Sequence, residues 1–498
     1  MNNFSQLIKV RRDKLQKLID LGIDPYPERV ERSHKIEALL KNQTAYVRDQ
    51  KLVTITGRLD AMRRQGKVGF GNVRDETGRI QIFVKFDLVG EDNYQVFKLL
   101  DLGDFVQVRG ECFVTKMGEY SIKAEHVRII CKTLRPLPTV KEKIIAGEQK
   151  RYDEFSDIEL RYRKRYLDLL LNPEIKENFI IRAGIIRILR DFLHQKGFME
   201  VETPILQPLY GGANARPFVT HHNTLDLDLY LRIALELYLK RLIIGGIEKV
   251  YEIGKTFRNE GMDRNHNPEF TMLELYQAYT DYQGMMEITE DIILKISKEL
   301  FGSDRILVAE QEISFKKPWR RASMLDLIKE ETGLDVSDFN FDKLKTFCEQ
   351  NDIEIDPSAG PGKLIEEIFS VFVEPKLIQP TFVVDFPREI SPLAKVKKDD
   401  SRLVERFELF INGNEYGNAF TELNDPLDQR ERLEAQVKLR ELGYLEANEI
   451  DEDFLEAMEY GMPPTGGLGI GIDRLVMLFT ANSSIKEVIL FPTMRPES

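Results

Sequence analysis

The sequence predicts an α+β protein in two unlike parts. A small barrel of short strands comes first, and a larger body follows, built on a largely antiparallel sheet flanked by helices. Three observations carry this expectation. Five short β-rich segments crowd the first 131 residues, with a helical stretch after the third. Beyond them, strands and helices mix without the strict βαβ order that a parallel sheet needs. The charge divides in the same way: residues 1–150 carry 28 Lys and Arg against 20 Asp and Glu, whereas the other 348 carry 43 against 63. The basic part suits a phosphate backbone, and the acidic part suits cations, whether metal ions or an ammonium ligand.

Taken in order, residues 4–21 read as an amphipathic helix with Leu7, Ile8, Leu15, Leu18 and Ile19 on its apolar stripe. The pattern stops at Gly22, and Asp24-Pro25-Tyr26-Pro27 enforces extended chain. Strands are expected at Leu52–Asp60, Val68–Arg74, Arg79–Lys85, Asp104–Glu111 and Ser121–Cys131, with a helix at Asp92–Leu100. Gly57, Gly78, Gly103 and Gly118 are expected at turns. Five strands with a helix after the third is the order of the OB-fold, a small open barrel that often binds oligonucleotides.

Arg135–Thr139 and the charged stretch 141–150 read as a linker. Helices follow at Ile158–Leu171 and Glu174–Gln195, divided by Asn172-Pro173. Strands alternate with a helix near Ala234–Ile244 up to Tyr279. Residues 282–300 and roughly 322–375 read as mostly helical, 381–385 and 403–422 as strands, and Asp428–Leu442 as a helix. The chain closes in a glycine-rich strand and a helix. With 498 residues, 42% hydrophobic and 31% charged, the composition is that of a globular chain of two to four domains. No apolar run approaches the ~18 residues of a membrane span, and the N-terminus lacks a secretory h-region. Three cysteines and six scattered histidines make neither a disulfide framework nor a metal-ligand spacing. A reduced, cytoplasmic setting is expected.

Three segments carry chemistry. Val250–Glu260 and Phe270–Thr280 flank a polar loop as an antiparallel hairpin, with Arg258 and Glu260 where the first strand enters the loop. Period-two alternation puts Phe270, Met272, Glu274 and Tyr276 on one face. An aromatic, a carboxylate and a phenol together suit a pocket for a planar base and a cationic group. Gly254-Lys255-Thr256 is not a phosphate loop, because Lys249 stands where that motif needs its first glycine.

In Leu403–Asp425, Asn412-Gly413 is a two-residue hairpin turn that pairs Phe410 with Glu415 and sets Glu408 diagonal to Glu415. Diagonal carboxylates are ~7–8 Å apart, a separation that suits Mg²⁺ around a polyphosphate. Asn418, Phe420 and Glu422 fall on the opposite face by strict alternation, unless a bulge at Gly417 brings both sets to one cavity. In Gly466–Thr480, Gly469 and Gly471 allow close approach, and Arg474 at a helix start is placed for a phosphate. The spacing does not match a dinucleotide fingerprint.

Together these segments resemble the three signature motifs of class II aminoacyl-tRNA synthetases, over nearly the whole chain and most closely the bacterial-type lysyl-tRNA synthetases. The first motif is the helix and strand Ile180–Pro204, the second runs from Phe257 to Tyr276, and the third is Gly467–Leu475. Leu134–Pro138, Gly211–Phe218 and Leu490–Glu497 also look like this family. The resemblance implies a helical extension over 1–50, an OB-fold anticodon-binding domain over 51–140, a linker over 141–172 and a class II catalytic domain over 173–498, with a helical insertion at about 322–375.

It further implies lysine activation by ATP, transfer to tRNA(Lys), and a homodimer through Ile180–Pro204. Carried over residue by residue, Arg258 contacts the α-phosphate, and Phe270 and Arg474 sandwich adenine. Glu260, His266 and Asn267 hold the rest of ATP, and Glu408 and Glu415 hold Mg²⁺. Gly212, Glu236, Glu274, Tyr276, Asn418, Phe420 and Glu422 line the lysine site. In the barrel Phe70 stacks on an anticodon base, with Arg63, Gln81 and Glu119 nearby. A sister enzyme for aspartate or asparagine would not want acids at 274 and 422. A protein-lysylating paralogue would lack the barrel, and a dead catalytic body would have lost Arg258, Glu415 or Arg474. One departure is Leu235, where the family usually has proline; a looser loop before Glu236 is expected there.

Overall fold

Strands β1 (Leu52–Gln65), β2 (Val68–Arg74), β3 (Arg79–Lys85), β4 (Phe105–Val114) and β5 (Tyr120–Cys131) form a barrel of order β1-β2-β3-β5-β4 in the computed structural model. The structure describes residues 3–138, 140–145, 148–153, 155–356, 359–441 and 450–497. Alternate side chains turn inward, so Val53, Ile55, Val73, Ile82, Val84, Val106, Val108 and Ile122 are buried together. The barrel is closed rather than open, and the length of β1 is the reason. Its first half pairs with β4 and its second with β2, and an irregularity between Leu59 and Ala61 bends the strand between them. Gly57 is therefore in mid-strand and not at a turn. A Cβ there would meet Arg74 O at 2.5 Å and Val73 Cγ1 at 2.8 Å.

The helix after β3 starts earlier than its periodicity suggests. It spans Phe86–Leu99 as two short helices that meet at Gly90, whose φ is 76°. That glycine interrupts the apolar period, which hid the first turn from the sequence. The N-terminal helix Asn3–Asp20 contributes Leu18 to the barrel core, and two short helices at Ile36–Lys41 and Gln43–Asp49 add Ile36 and Leu39. The stretch read as a linker holds regular structure. Val140–Ile145 pairs antiparallel with Glu148–Asp153, and the helix expected at Ile158–Leu171 forms as two, Ile158–Arg163 and Arg165–Leu171. Thr139 and residues 146–147 of the expected linker lie outside the described residues, as does Leu442, the expected end of the helix at Pro426–Glu441.

The chain divides into two units, Met1–Ser156 and Asp157–Ser498. The second is built on eight strands: β6 (Met199–Glu200), β7 (Lys249–Phe257), β8 (Glu269–Ala278), β9 (Arg320–Ser323), β10 (Thr381–Pro387), β11 (Leu403–Ile411), β12 (Asn414–Thr421) and β13 (Thr465–Gly471). Their order is β9-β10-β11-β12-β13-β8-β7-β6. Every pairing is antiparallel except β9 with β10 and β6 with β7 at the two edges.

Residue parity sorts this sheet into two faces. Leu273 and Leu275, Phe407 and Leu409, and Leu468 and Ile470 pack on the helices Ile175–Gln195, Tyr282–Phe301 and Ile472–Thr480. Their odd-step neighbours, Glu274, Glu408 and Gly469 among them, point the other way and line a cleft. Helices Met324–Thr332, Phe341–Gln350 and Pro361–Phe372 pack separately, with Leu327, Leu364 and Ile368 against Val383 and Phe386 of β10. No helix among the described residues is long and apolar enough to cross a membrane.

The close approach at Gly57 gives a stability prediction. Gly57→Ala should cost about 1–3 kcal/mol by forcing β1 away from β2. Hydrogen-exchange mass spectrometry should show faster exchange in 52–74 and no change in the sheet of the second unit.

Candidate active site

A cleft of about 510 Å³ opens on the polar face of the eight-stranded sheet. It is lined by β8, β11, β12 and β13, by the loop after β7, by Gly212–Asn214 and by Ser391–Ala394. Every residue expected to bind nucleotide, metal or amino acid in the second unit lies on this one cleft.

At one end Arg258 enters from the loop after β7, with its guanidinium 5.2 Å from the Phe270 ring centre. Its Nε is buried with no hydrogen-bond partner. Burial pushes its pKa down, opposed by the charges of Glu260 and Glu415. A buried, under-satisfied cation of this kind is built to receive an anion. Arg474 donates through Nη1 to Glu415 O at 3.0 Å and to Glu415 Oε2 at 3.3 Å, and its Nη2 lies 3.2 Å from His266 Nε2. Asn267 donates to Glu269 O at 2.7 Å, while its own Oδ1 is buried without a partner.

The hairpin β11–β12 turns on Asn412 and Gly413 with φ of 49° and 69°. Both are left-handed, which is what a two-residue turn between twisted strands needs. Phe410 pairs with Glu415 as expected, but Leu409 pairs with Gly417, so Tyr416 is an extra residue. This bulge puts Tyr416 into the core and brings Glu415 and the Asn418, Phe420, Glu422 set to the same cleft. Glu408 faces Asn418 across the pair. Arg406 ties them together, donating to Glu408 Oε1 at 2.6 Å, to Asn418 Oδ1 at 3.1 Å and to Ser391 Oγ at 2.8 Å. Burial lifts the Glu408 carboxyl, with Arg406 opposing and Glu415 adding to the rise.

Three carboxylates gather in the same cleft, with Arg258 acting on Glu274 among them. Glu236, Glu274 and Glu422 are 5%, 6% and 0% exposed. Glu274 accepts the Leu235 N–H at 3.1 Å and the Tyr276 O–H at 3.3 Å. Burial, reinforced by Glu236, pushes its pKa up to about 7. Glu422 Oε1 has no hydrogen-bond partner, and burial drives this carboxyl well up. Gly467 keeps the recess open, since a Cβ there would overlap Glu422 Oε1 and lie 2.5 Å from Tyr276 Cε1. The looser loop expected at Leu235 is not seen. Leu235 is fully buried with Leu239, Ile243 and Val250, and its amide serves Glu274, which a proline has no N–H to do.

Comparison with known proteins bears on this geometry. Residues 157–495 match the family model "tRNA synthetases class II (D, K and N)", and residues 53–130 match "OB-fold nucleic acid binding domain". The chain belongs to the class II tRNA synthetases. It is 50% identical to the lysine–tRNA ligase of Bacillus subtilis (strain 168), over 98% of this chain and 97% of that one. It is 52% identical to the lysine–tRNA ligase of Pelotomaculum thermopropionicum, over 99% and 96%. That of Thermoanaerobacter sp. (strain X514) is 50% identical over 99% and 97%.

In the barrel of this synthetase, Arg63 pairs across strands with Phe70, its guanidinium 5.0 Å from the ring centre. Gln81 donates to Ser121 Oγ at 2.8 Å, and Ser121 Oγ donates to Glu119 O. The Glu119 side chain is exposed. The structure adds what sequence reasoning missed: Phe83, 5.2 Å from Phe70 and 5.9 Å from Phe113, extends the aromatic row. In the cleft the missed residues are Arg406, Ser391 and Lys240. Arg406 stands two before Glu408 on one strand face and Lys240 four after Glu236 on one helix face, so periodicity carried a signal for both.

The Glu274 titration has a checkable sign. Its folded value near 7 lies above the usual 4.5, so the protein loses about 3 kcal/mol of stability as pH rises through that window. Glu274→Gln removes the loss. The variant should melt higher than the parent at about pH 8, with the gap closing toward about pH 5.

Proposed function

We propose that this synthetase is a lysine–tRNA ligase. It joins L-lysine to ATP as lysyl-adenylate with release of pyrophosphate, then passes lysine to the 3′-terminal adenosine of tRNA(Lys). The observation that carries this reading is the convergence of Glu236, Glu274 and Glu422 in a buried recess beside Arg258. Three acids in a closed polar recess select an amino acid with more than one ammonium group. An aspartate or asparagine substrate would leave the excess of buried negative charge without a matching ammonium, at several kcal/mol on the order expected for broken buried pairs. The names of the relatives, at about half identity over nearly the full length, support the same choice.

The chemistry asks for alignment rather than for a base. The lysine carboxylate oxygen attacks the α-phosphorus, a P–O bond forms, and the bond to pyrophosphate breaks; no proton moves. Arg258 takes up the charge that develops on the α-phosphoryl oxygens, and its unpartnered Nε is free for it. Phe270 and Arg474 hold the adenine between them, and Arg474, with Glu260, His266 and Asn267, holds the rest of ATP. Gly212 and Glu236 line the lysine site, while Glu274 and Glu422 receive the ε-ammonium. Tyr276, Asn418 and Phe420 complete the wall.

Glu408 and Glu415 fit Mg²⁺. Both are hard oxygen donors on one cleft, and the described residues hold no cage of three or more ligating side chains. That is the donor set of an ion completed by phosphate and water. When bound, Mg²⁺ neutralises the pyrophosphate leaving group. In the barrel, Phe70 stacks an anticodon base, and Arg63, Gln81 and Glu119 supply the polar contacts that choose it. The remaining assignments are an extension at 1–50, the anticodon domain at 51–140, a connection at 141–172 and the catalytic body at 173–498 with its insertion at about 322–375. The protein acts in the cytoplasm as a homodimer through Ile180–Pro204, where Ile180 and Met199 are 61% and 53% exposed.

Pyrophosphate exchange with each of the twenty amino acids tests the reading directly. Exchange with lysine alone is expected, and exchange with aspartate or asparagine instead would overturn it. Gly467→Ala, which fills the recess without touching Arg258, should raise the lysine KM by about 100-fold or more and leave the ATP KM within about twofold.

A further inference from the structure

The lysine recess already contains a lysine. Lys240 lies on the helix Glu236–Ile244 and is fully buried. Its ammonium forms ion pairs with Glu236 Oε1 and Glu422 Oε2, and sits 5.6 Å from the centre of the Phe420 ring. Two of the three recess carboxylates therefore have a cation on them before any substrate arrives. Burial works against the charge on Lys240, but Glu236 and Glu422 outweigh it and hold the ammonium above its usual value. For Glu422, burial drives the carboxyl up, and Lys240 is the foremost influence opposing that rise.

The charge count explains why such a residue belongs there. Glu236, Glu274 and Glu422 bring three potential negative charges to the recess, whereas a diamino acid brings two ammonium groups. Three against two leaves a buried anion without a partner, which weakens binding. One resident cation makes the numbers equal. We propose that Lys240 is a built-in counter-ion that sets how much positive charge the recess accepts from its ligand, and so is a specificity-determining residue acting through Glu422. The proposal rests on the lysine-activating reading above. It gives Lys240 a positioning role: it keeps Glu422 ionised and aimed while leaving Glu422 Oε1 for the substrate. The other groups facing this pair are Glu274 and Tyr276 from β8, with Arg258 acting on Glu274.

The test is lysine-dependent pyrophosphate exchange by the full chain between about pH 7 and about pH 9, measured on the parent, Lys240→Met and Lys240→Arg. Parent exchange with lysine is the control; its absence would sink the lysine reading itself, separately from the role of Lys240. With the control in place, Lys240→Met should raise the lysine KM by about tenfold or more at about pH 7 and leave the ATP KM within about twofold. The gap should narrow toward about pH 9, as Glu422 ionises without its counter-ion. Lys240→Arg keeps the charge and should restore most of the loss.

A lysine KM for Lys240→Met equal to the parent's overturns the proposal, as does a deficit that is the same at every pH. Should Lys240→Met fail to fold, Lys240→Met combined with Glu422→Gln removes both charges together. That double variant should be no worse for lysine than Glu422→Gln alone; a further multiplied loss refutes action through Glu422.

Discussion

Asp473 accepts the Thr271 amide at 2.6 Å and the Arg182 guanidinium at 2.6 Å, and Arg182 also donates to Thr271 Oγ1 at 3.0 Å. Three segments far apart in sequence are thereby fixed to one buried carboxylate: the helix Ile175–Gln195, strand β8 and the start of the helix Ile472–Thr480. The next residue is Arg474, and the residue before Thr271 is Phe270. The two groups proposed to enclose adenine are thus positioned as immediate neighbours of the same bonded cluster. Leaving a charge buried when its partner is removed costs about 3–5 kcal/mol in typical cases, so this cluster resists being loosened one bond at a time.

From that fixed point outward, the cleft is lined by buried polar atoms that lack partners. Arg258 has a buried Nε without a partner, Asn267 has a buried Oδ1 without one, and Glu422 has a bare Oε1. Each is unfavourable while unpartnered, and a group of opposite polarity would satisfy it. Stability lost at such positions becomes discrimination when the right molecule arrives, because a wrong one leaves the same atoms bare. The apolar layer behind the sheet, from Ile185 and Leu189 through Leu273 to Leu475, supplies the burial that opposes that cost.

Much of this was legible in the sequence, for identifiable reasons. Period-two alternation placed Phe270, Glu274 and Tyr276 on one face correctly, because β8 is regular throughout. The turn at Asn412-Gly413 was readable because few residue pairs adopt two left-handed conformations. The OB-fold order was readable from strand and helix spacing. What escaped was whatever depends on a partner distant in sequence. Lys240 looks like a solvated helix lysine until Glu422 is brought against it. Gly57 looks like a turn until β2 is laid beside it, and the ladder Val140–Ile145 looks like a charged linker because its few apolar residues do not alternate. Phe83 faces Phe70 directly across the β2–β3 pair, and Phe113 joins them only once β5 and β4 are laid beside β3.

The extra residue at Tyr416 has a consequence for how this protein can vary. Between the turn at Asn412-Gly413 and Glu422, the pairing register, and not only the kinds of residue, decides what faces the cleft. If this stretch paired at its present length without the bulge, Asn418, Phe420 and Glu422 would turn toward the core and leave the recess floor apolar, although every side chain needed was still encoded. A substitution in this hairpin alters one contact, whereas a one-residue slip of the pairing inverts a whole wall. The register of this short stretch is therefore as much a determinant of the ligand accepted as any carboxylate it carries.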